Sequence, residues 1–196
     1  MNAQLQQLID DLAAVRARWA RLAAATPDDR WAARARTDVW SVAENIAHLN
    51  LTARAMQPLL EAATGQARAL GARHGKLRRS VFGAILAAMV GPVPRVLGFR
   101  LGRVRTPARF VPTGDEPRAK ICAEFERHLA AQEAGIRAAD GLPIDRVRIE
   151  SPFVKGAKYD AYSGWMVVLR HTHRHLAQAE RVWAPAGARR DPLQAV

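Results

Sequence analysis

Three histidines near the end of the sequence are the residues best suited to chemistry. The segment HTHRH places His171, His173 and His175 within five residues. On an α-helix, which turns by about 100 degrees per residue, His171 and His175 share one face and His173 lies on the other side. Two imidazoles at i and i+4 have the spacing with which one helix presents two nitrogen ligands to one metal ion. The pair therefore indicates a metal site, and two structural histidines with satisfied hydrogen bonds are the alternative.

A third ligand decides between these interpretations, and His48 is the candidate. It lies two turns into a helical stretch, on the shoulder of an apolar stripe, where it can reach a neighbouring helix. Two helices that donate one and two imidazoles to a bundle core are a familiar way to build a metal site. The glutamate of the zinc-protease motif HExxH is replaced by Thr172, so a protease mechanism is not indicated.

Three neutral imidazoles would leave a divalent ion with its full charge and at least one open position. Such an ion can lower the pKa of a bound water toward about 7, or bind a thiol as thiolate. The ligand set alone does not choose between hydrolysis and thiol transfer. Gln178, one turn after His175, is predicted on the same face, where it could orient a ligand or simply lie at a helix interface. No residue is assigned a catalytic role from the sequence.

Four amphipathic helices are predicted to position these residues. Apolar side chains recur at three- and four-residue intervals over residues 3–25, which predicts the first helix. Ser41 followed three residues later by Glu44 is a capping box, so a second helix is predicted to begin there. Gly65 is its predicted end. Glu44 is therefore assigned to capping rather than to catalysis.

The other two helices are predicted in the C-terminal half. Asp115–Pro117 is typical of a helix start, because acidic groups favour the positive end of the helix dipole and proline fits the first turn. Apolar residues then share a face from Ile121 to Ile136. Asp160 can cap a fourth helix that runs to about Trp183. The fold class is therefore predicted as all-α.

Three other residues with reactive side chains are assigned no chemistry. Cys122 lies on the apolar face of the third helix and is predicted to be a small core residue. As the single cysteine, it excludes an internal disulfide. His74 and His128 are isolated in the sequence and are predicted to be surface groups.

A basic segment separates the second and third predicted helices. The chain has 196 residues and a net charge of +12. Residues 62–114 contain ten arginines and lysines and no acidic residue, so this stretch supplies +10 of the total. We predict one bundle domain over residues 1–185, with 66–112 as a basic connecting segment that contains a short helix near 78–90. Residues 186–196 are predicted to form a flexible tail.

Two motifs resemble signatures of a known family. The string Trp40–Leu49, WSVAENIAHL, resembles the WSxxExxxHL signature of the DinB-like superfamily. His171, His175 and Gln178 resemble its closing HxxxHxxQ motif, and Ser151–Phe153 resembles the SPF stretch before the last helix. The two motifs occur in the expected order, and the resemblance covers nearly the whole chain. The paired motifs are much more specific together than either is alone.

The resemblance implies a four-helix bundle of up-down-down-up type with a three-histidine metal site. By motif, the ligands are His48, His171 and His175, and zinc or nickel is the expected ion. Characterised relatives include thiol S-transferases that use low-molecular-weight thiols, thiol-dependent isomerases and proposed metal hydrolases. The basic segment 66–112 departs from the family pattern, and it leaves the substrate class open.

Two functions of different classes are compatible with the sequence. The first is a metal-dependent transferase or hydrolase acting on a small molecule, with a low-molecular-weight thiol as a candidate co-substrate; a homodimer is one candidate assembly, and the sequence leaves the oligomeric state open. The second is a non-catalytic helical module whose basic segment docks on nucleic acid or an anionic membrane surface. The N-terminus lacks the features of a signal peptide, and no apolar run reaches the roughly 20 residues that span a bilayer, so a cytoplasmic location is expected.

Overall fold

The computed structural model describes residues 1–72, 75–91 and 106–183. These residues form the helices α1 (Ala3–Ala25), α2 (Asp28–Trp31), α3 (Val42–Ala69), α4 (Val81–Val90), α5 (Arg118–Ala138) and α6 (Ala161–Arg181). A turn of 3-10 helix covers Ala108–Phe110. Two short antiparallel strands, β1 (Arg148–Glu150) and β2 (Lys158–Asp160), pair with Ile149 opposite Tyr159. The predicted all-α class is confirmed, and the sequence did not predict the small hairpin, the short helix α2 or the 3-10 turn.

Side-chain contacts fix the direction of the first long helix relative to two others. Contacts between α1 and α5 run in opposite sequence order, joining Arg16 to Glu133 and Trp19 to Glu126. Contacts between α1 and α6 run in the same order, joining Gln4 to Tyr162 and Arg18 to Glu180. Helix α1 is therefore antiparallel to α5 and parallel to α6.

Helix α3 completes the bundle. Its contacts with α5 run in the same order, joining Asn50 to Ile121 and Gln57 to His128. Its contacts with α6 run in opposite order, joining Asn45 to His175 and His48 to His171. The long helices α1, α3, α5 and α6 thus point up, down, down and up, as the family resemblance implied.

The start of α3 is the predicted capping box, whereas its end differs from the prediction. The Ser41 hydroxyl accepts a hydrogen bond from the Glu44 backbone N–H at 3.1 Å, and the Glu44 carboxylate accepts one from the Ser41 N–H at 2.8 Å. The helix continues through Gly65 to Ala69, so the predicted end at Gly65 was wrong. Buried alanines on both sides of Gly65 keep this turn packed on the core, and the left-handed backbone that ends a helix occurs at Gly71 instead.

The start of α6 is tied to the start of α4. Asp160 caps α6 as predicted, because its carboxylate accepts a hydrogen bond from the Ser163 N–H at 2.7 Å. The same carboxylate accepts from the N–H and hydroxyl of Ser80, the residue that caps α4. A side chain at Gly83 would clash, since its Cβ would lie 2.4 Å from the Ser163 Oγ. This close approach lets α4 pack flat on α6.

The short helix predicted near 78–90 is observed as α4. Other sequence predictions lie outside the described residues. His74, the arginines between 92 and 105, and the tail 186–196 belong to the parts of the chain that the structure does not describe. Among the helices that it does describe, none is both long and apolar enough to cross a membrane.

Candidate metal centre

The three histidines from the two motifs meet where α3 and α6 face each other. His48 lies in the second turn of α3, and His171 and His175 lie one turn apart on α6. One ring nitrogen from each of them falls within 4.8 Å of the others, and the Nε2 atoms of His48 and His171 are 3.3 Å apart. The antiparallel packing brings these positions together although 123 residues separate His48 from His171. We refer to these residues as the three-histidine cluster.

The spacing of the nitrogens fits one metal ion. Imidazole nitrogens bound to zinc at about 2.0 to 2.1 Å in tetrahedral geometry are separated from one another by about 3.3 to 3.4 Å. The His48–His171 nitrogen separation has this value, and the His175 nitrogen lies within 4.8 Å of both. The residues present therefore fit a divalent ion held by three imidazoles.

A backbone carbonyl orients the His48 ring. The His48 Nδ1 lies 2.7 Å from the carbonyl oxygen of Phe110, the last residue of the 3-10 turn. A carbonyl only accepts, so Nδ1 carries the proton and donates it. The lone pair is then on Nε2, which points to His171. Metal-binding histidines are commonly oriented in this way by a hydrogen bond from the second ring nitrogen.

A buried amide orients His175 in the same way. The His175 Nδ1 lies 3.0 Å from Asn45 Oδ1. The Asn45 amide nitrogen donates to the carbonyl oxygens of Ser41 and Trp40, at 2.8 and 3.3 Å, which leaves the amide oxygen as the acceptor for His175. His175 therefore has its proton on Nδ1 and its lone pair on Nε2. Asn45 connects the first turn of α3 to the candidate site.

Aromatic side chains enclose the cluster. Trp40 has its ring centroid 5.0 Å from that of His48 and 5.9 Å from that of His175. Phe153, in the loop between β1 and β2, lies 6.5 Å from His171 and 4.9 Å from Phe110. These walls remove water from the imidazoles. The SPF stretch that the sequence singled out thus contributes Phe153 to the site.

Burial keeps the imidazoles neutral. Loss of hydration lowers the pKa of His48, although the bond to Phe110 acts in the opposite direction. Burial, reinforced by the neighbouring His48, lowers the pKa of His171 to about 3. The pKa of His175 is well below its usual value, first because of burial and then because of His171 and His48. Neutral imidazoles are the form that binds metal ions.

No carboxylate in the described parts of the chain joins the cluster. The nearest motif carboxylate, Glu44, is occupied by the capping bond from Ser41 and by the guanidinium of Arg34, which donates from Nε at 2.9 Å. Hydrogen bonds from Arg34 and Ser41 outweigh burial and lower the pKa of Glu44. Glu44 is thus an ionised structural residue, as predicted.

The other singled-out residues lie apart from the cluster. His173 is on the opposite side of α6, where its backbone carbonyl accepts from Arg18 of α1. Gln178 is half-buried on α6, and its role beside the cluster stays a prediction. Cys122 is partly buried against the core, and burial raises the pKa of its thiol, consistent with a core residue. His128 is half-buried between α3 and α5, so its prediction as a surface group was wrong.

A family comparison agrees with this geometry. The model of the DinB superfamily matches residues 11–179, a span that contains His48, His171 and His175. The chain belongs to the DinB superfamily. Neither the curated proteins nor the solved structures gave a match. Because the DinB superfamily is often metal-binding, membership and the three-histidine cluster support the same kind of site.

Sequence reasoning missed two groups that orient the histidines of this DinB protein. Asn45 was not predicted as part of the site, although an amide side chain one turn before a candidate ligand on the same helix is a signal for a hydrogen-bond partner. The Phe110 carbonyl has no sequence signal, because every residue has a carbonyl and only the path of the chain selects this one.

Proposed function

We propose that the protein is a metal-dependent enzyme that uses a divalent ion, zinc or nickel, on the three-histidine cluster. The reaction class is transfer to or from a low-molecular-weight thiol, with metal-assisted hydrolysis as the alternative within the same site. The observation that carries the proposal is the common direction of the lone pairs. Hydrogen bonds from Nδ1 to Phe110 and Asn45 leave the Nε2 atoms of His48 and His175 free for one ion.

The protein's own groups would hold and shield the ion. Asn45 and the Phe110 carbonyl fix two of the imidazoles, so little ordering is required when the metal binds. Trp40 and Phe153 exclude water on two sides, which strengthens electrostatic interactions inside the site. When bound, the ion supplies Lewis acidity, which favours the deprotonated form of a water or a thiol.

Among the residues that the structure describes, no free acidic group lies in the cluster, and this favours a thiol as nucleophile. Activation of water by a metal is commonly assisted by a carboxylate base, and Glu44 is occupied by Arg34. A thiol has a pKa near 8.5 and needs less assistance than water to lose its proton. The thiolate would attack an electrophilic carbon, forming a carbon–sulfur bond while the leaving group departs with the bonding pair and the proton passes to solvent.

The test begins with elemental analysis of protein purified without chelator or affinity tag. We expect about one zinc or nickel ion per chain, and loss of that ion in His48→Ala. The loaded protein is then mixed with a low-molecular-weight thiol and a chromogenic aryl chloride, and chloride release is measured. Metal-dependent turnover supports the transferase. A metal-loaded protein without turnover of thiols or of ester substrates would leave the non-catalytic module as the better description.

A further inference from the structure

Helix α4 has apolar side chains on two opposite faces. Its ten residues, VFGAILAAMV, include no polar side chain. Leu86 and Ala87 are buried on the face that packs toward α6. The other face is exposed and consists of Val81, Phe82, Ile85 and Met89, which expose 78, 41, 52 and 48% of their surface. At 100 degrees per residue these four fall within an arc of about 100 degrees, so they form one stripe about 12 Å long, the α4 outer face.

Arginines stand at both ends of the α4 outer face. Arg78 and Arg79, both exposed, directly precede the helix. At the other end the Arg174 guanidinium donates to the carbonyl of Met89 at 3.1 Å. The exposed Arg170 also lies there, with its Cβ 3.5 Å from the position of a Cβ on Gly91. Four cationic side chains thus flank an apolar stripe.

In the part of the chain that the structure describes, the acidic groups near α4 are fewer than these arginines. The sequence from 62 to 114, which contains α4, has no acidic residue. Asp160, which approaches the start of the helix, is buried and accepts hydrogen bonds from Ser80 and Ser163. Asp145 accepts from the backbone N–H of Arg78 and stands near one end only. The described residues around the α4 outer face therefore carry a net positive charge.

We propose that the α4 outer face docks on an anionic lipid bilayer surface. The apolar stripe would enter the boundary between headgroups and acyl chains, while the flanking arginines contact lipid phosphates. This combination of an exposed apolar helix face and adjacent cations is typical of helices that lie in the membrane interface rather than span it. Arginine suits this role because its planar guanidinium binds phosphate through two donors. The inference does not depend on chemistry at the three-histidine cluster.

Charge argues against the two other occupants. In a two-fold dimer the same patch faces itself, so Arg78, Arg79, Arg170 and Arg174 would approach their own copies with like charge. A nucleic acid offers phosphates to the arginines, but its charged backbone gives the four exposed apolar side chains no partner. An anionic bilayer accommodates both components at once.

The experiment is co-sedimentation of the full chain with phosphatidylcholine vesicles, with and without phosphatidylglycerol. We expect binding to the anionic vesicles alone. Raising the salt from about 0.1 M to about 1 M, which shortens the Debye length from roughly 10 to 3 Å, should weaken binding at least tenfold. Equal binding to both kinds of vesicle, or binding to neither, would contradict the proposal.

Variants separate the apolar face from the total charge. Ile85→Glu should weaken vesicle binding at least tenfold, because it places a carboxylate in the stripe. Ala130→Glu, on an exposed position of α5, makes the same change in net charge and should alter binding by less than about threefold. Replacing both Arg78 and Arg79 with glutamine should weaken vesicle binding about fivefold for each arginine replaced. If Ile85→Glu does not fold, as judged by circular dichroism, Ile85→Ser provides the same comparison.

Two further measurements distinguish the other occupants. Light scattering measures the mass of the protein in solution. If the parent is a dimer, Ile85→Glu is a monomer and vesicles are not bound, the α4 outer face is the contact with a second copy of the chain. Duplex DNA that binds equally to the parent and to Ile85→Glu, again without vesicle binding, would assign the arginines to nucleic acid. Either result would overturn membrane docking. The metal content is measured separately and tests only the three-histidine cluster.

Discussion

Helix α3 carries two polar clusters, and both contain histidine. Toward α6 it contributes His48 to the three-histidine cluster. Toward α5 it contributes Arg54 and Gln57 to a second group, the glutamate cluster, which is completed by Glu124 and His128. There the Arg54 guanidinium donates to both Glu124 oxygens at 2.5 and 2.6 Å. The His128 ring nitrogens lie 3.1 Å from a Gln57 oxygen and 3.2 Å from a Glu124 oxygen.

The two clusters differ in what the lone pairs of their histidine nitrogens face, and not in how burial shifts the histidine pKa values. Burial lowers the pKa of His128, as it lowers the pKa of His48, so the direction of the shift does not separate the clusters. Both nitrogens of His128 face oxygen atoms, and a carboxylate neutralised by Arg54 lies beside it. His48 instead turns an unprotonated nitrogen toward another imidazole, with no acid in the group. Only the second arrangement could hold a metal ion.

The largest contrast is expected from removing one histidine from each cluster. His171→Ala should lower metal affinity more than a hundredfold, because one of three protein ligands is lost. His128→Ala should leave metal affinity within about twofold, with a stability loss of about 1 kcal/mol from the missing hydrogen bonds. Titration calorimetry with zinc on metal-free protein measures both. Comparable losses in the two variants would remove the distinction between the clusters.

The stability of the metal-free protein should decrease as the pH falls below about 6.5. Burial lowers the pKa of His48 and His175 in the folded state and that of His171 to about 3. Below about pH 6.5 these imidazoles therefore bind protons in the unfolded chain but stay neutral in the folded chain. Each of them then lowers the free energy of unfolding by up to about 1.4 kcal/mol per pH unit. The loss continues until the folded pKa is reached.

Urea unfolding across pH 7 to 4 measures this slope. In His171→Ala the slope should be smaller, because one buried imidazole that stays neutral in the folded state is removed. Ala130→Glu, at an exposed position of α5, is the control variant in which the cluster is unchanged. An unchanged slope in His171→Ala would mean that other groups cause the pH dependence.

A smaller effect is expected at Asn45, which touches no metal in our proposal. Asn45→Ala removes the acceptor for His175 and should lower zinc affinity about 10- to 100-fold. Asn45→Asp keeps an acceptor oxygen at this position and should recover most of that loss. The same titration checks both variants. Equal weakening by alanine and aspartate would indicate that Asn45 acts through the fold of the α3 start rather than through His175.

The smallest effect is expected at His173. It lies on the α1 side of α6, where Arg18 donates to its carbonyl, so His173→Ala should change metal affinity by less than about twofold. His175→Ala should abolish binding in the parallel measurement. Similar losses at 173 and 175 would describe a loose histidine-rich segment that collects metal, and the three-histidine cluster would then be wrong.

The features that local patterns encode were predictable from the sequence. The α1 helix, the Ser41 capping box and the Asp160 cap depend on neighbouring residues, and all three occur as predicted. The shared face of His171 and His175 also follows from helical geometry alone. His48 was a candidate third ligand from its place beside the apolar stripe, and the family motif then assigned it to the site, because the packing of α3 on α6 joins residues far apart in the sequence.

Features that depend on tertiary contacts were not predictable. The end of α3 lies beyond Gly65 because buried neighbours keep that turn on the core, which outweighs the glycine's weak helix preference. His128 looks isolated in the sequence, since its partners Gln57 and Glu124 become neighbours only when α3 lies beside α5. The β1–β2 hairpin has three residues in each strand, too few for a periodic pattern.

The bond between His48 and the Phe110 carbonyl makes the candidate site unusually tolerant of one kind of mutation. Because the acceptor belongs to the backbone, replacing the Phe110 side chain changes the packing but leaves the carbonyl in place. A deletion or insertion that shifts the chain between α4 and α5 would instead remove it. The candidate site therefore depends on where the backbone of residue 110 lies more than on which side chain that residue carries.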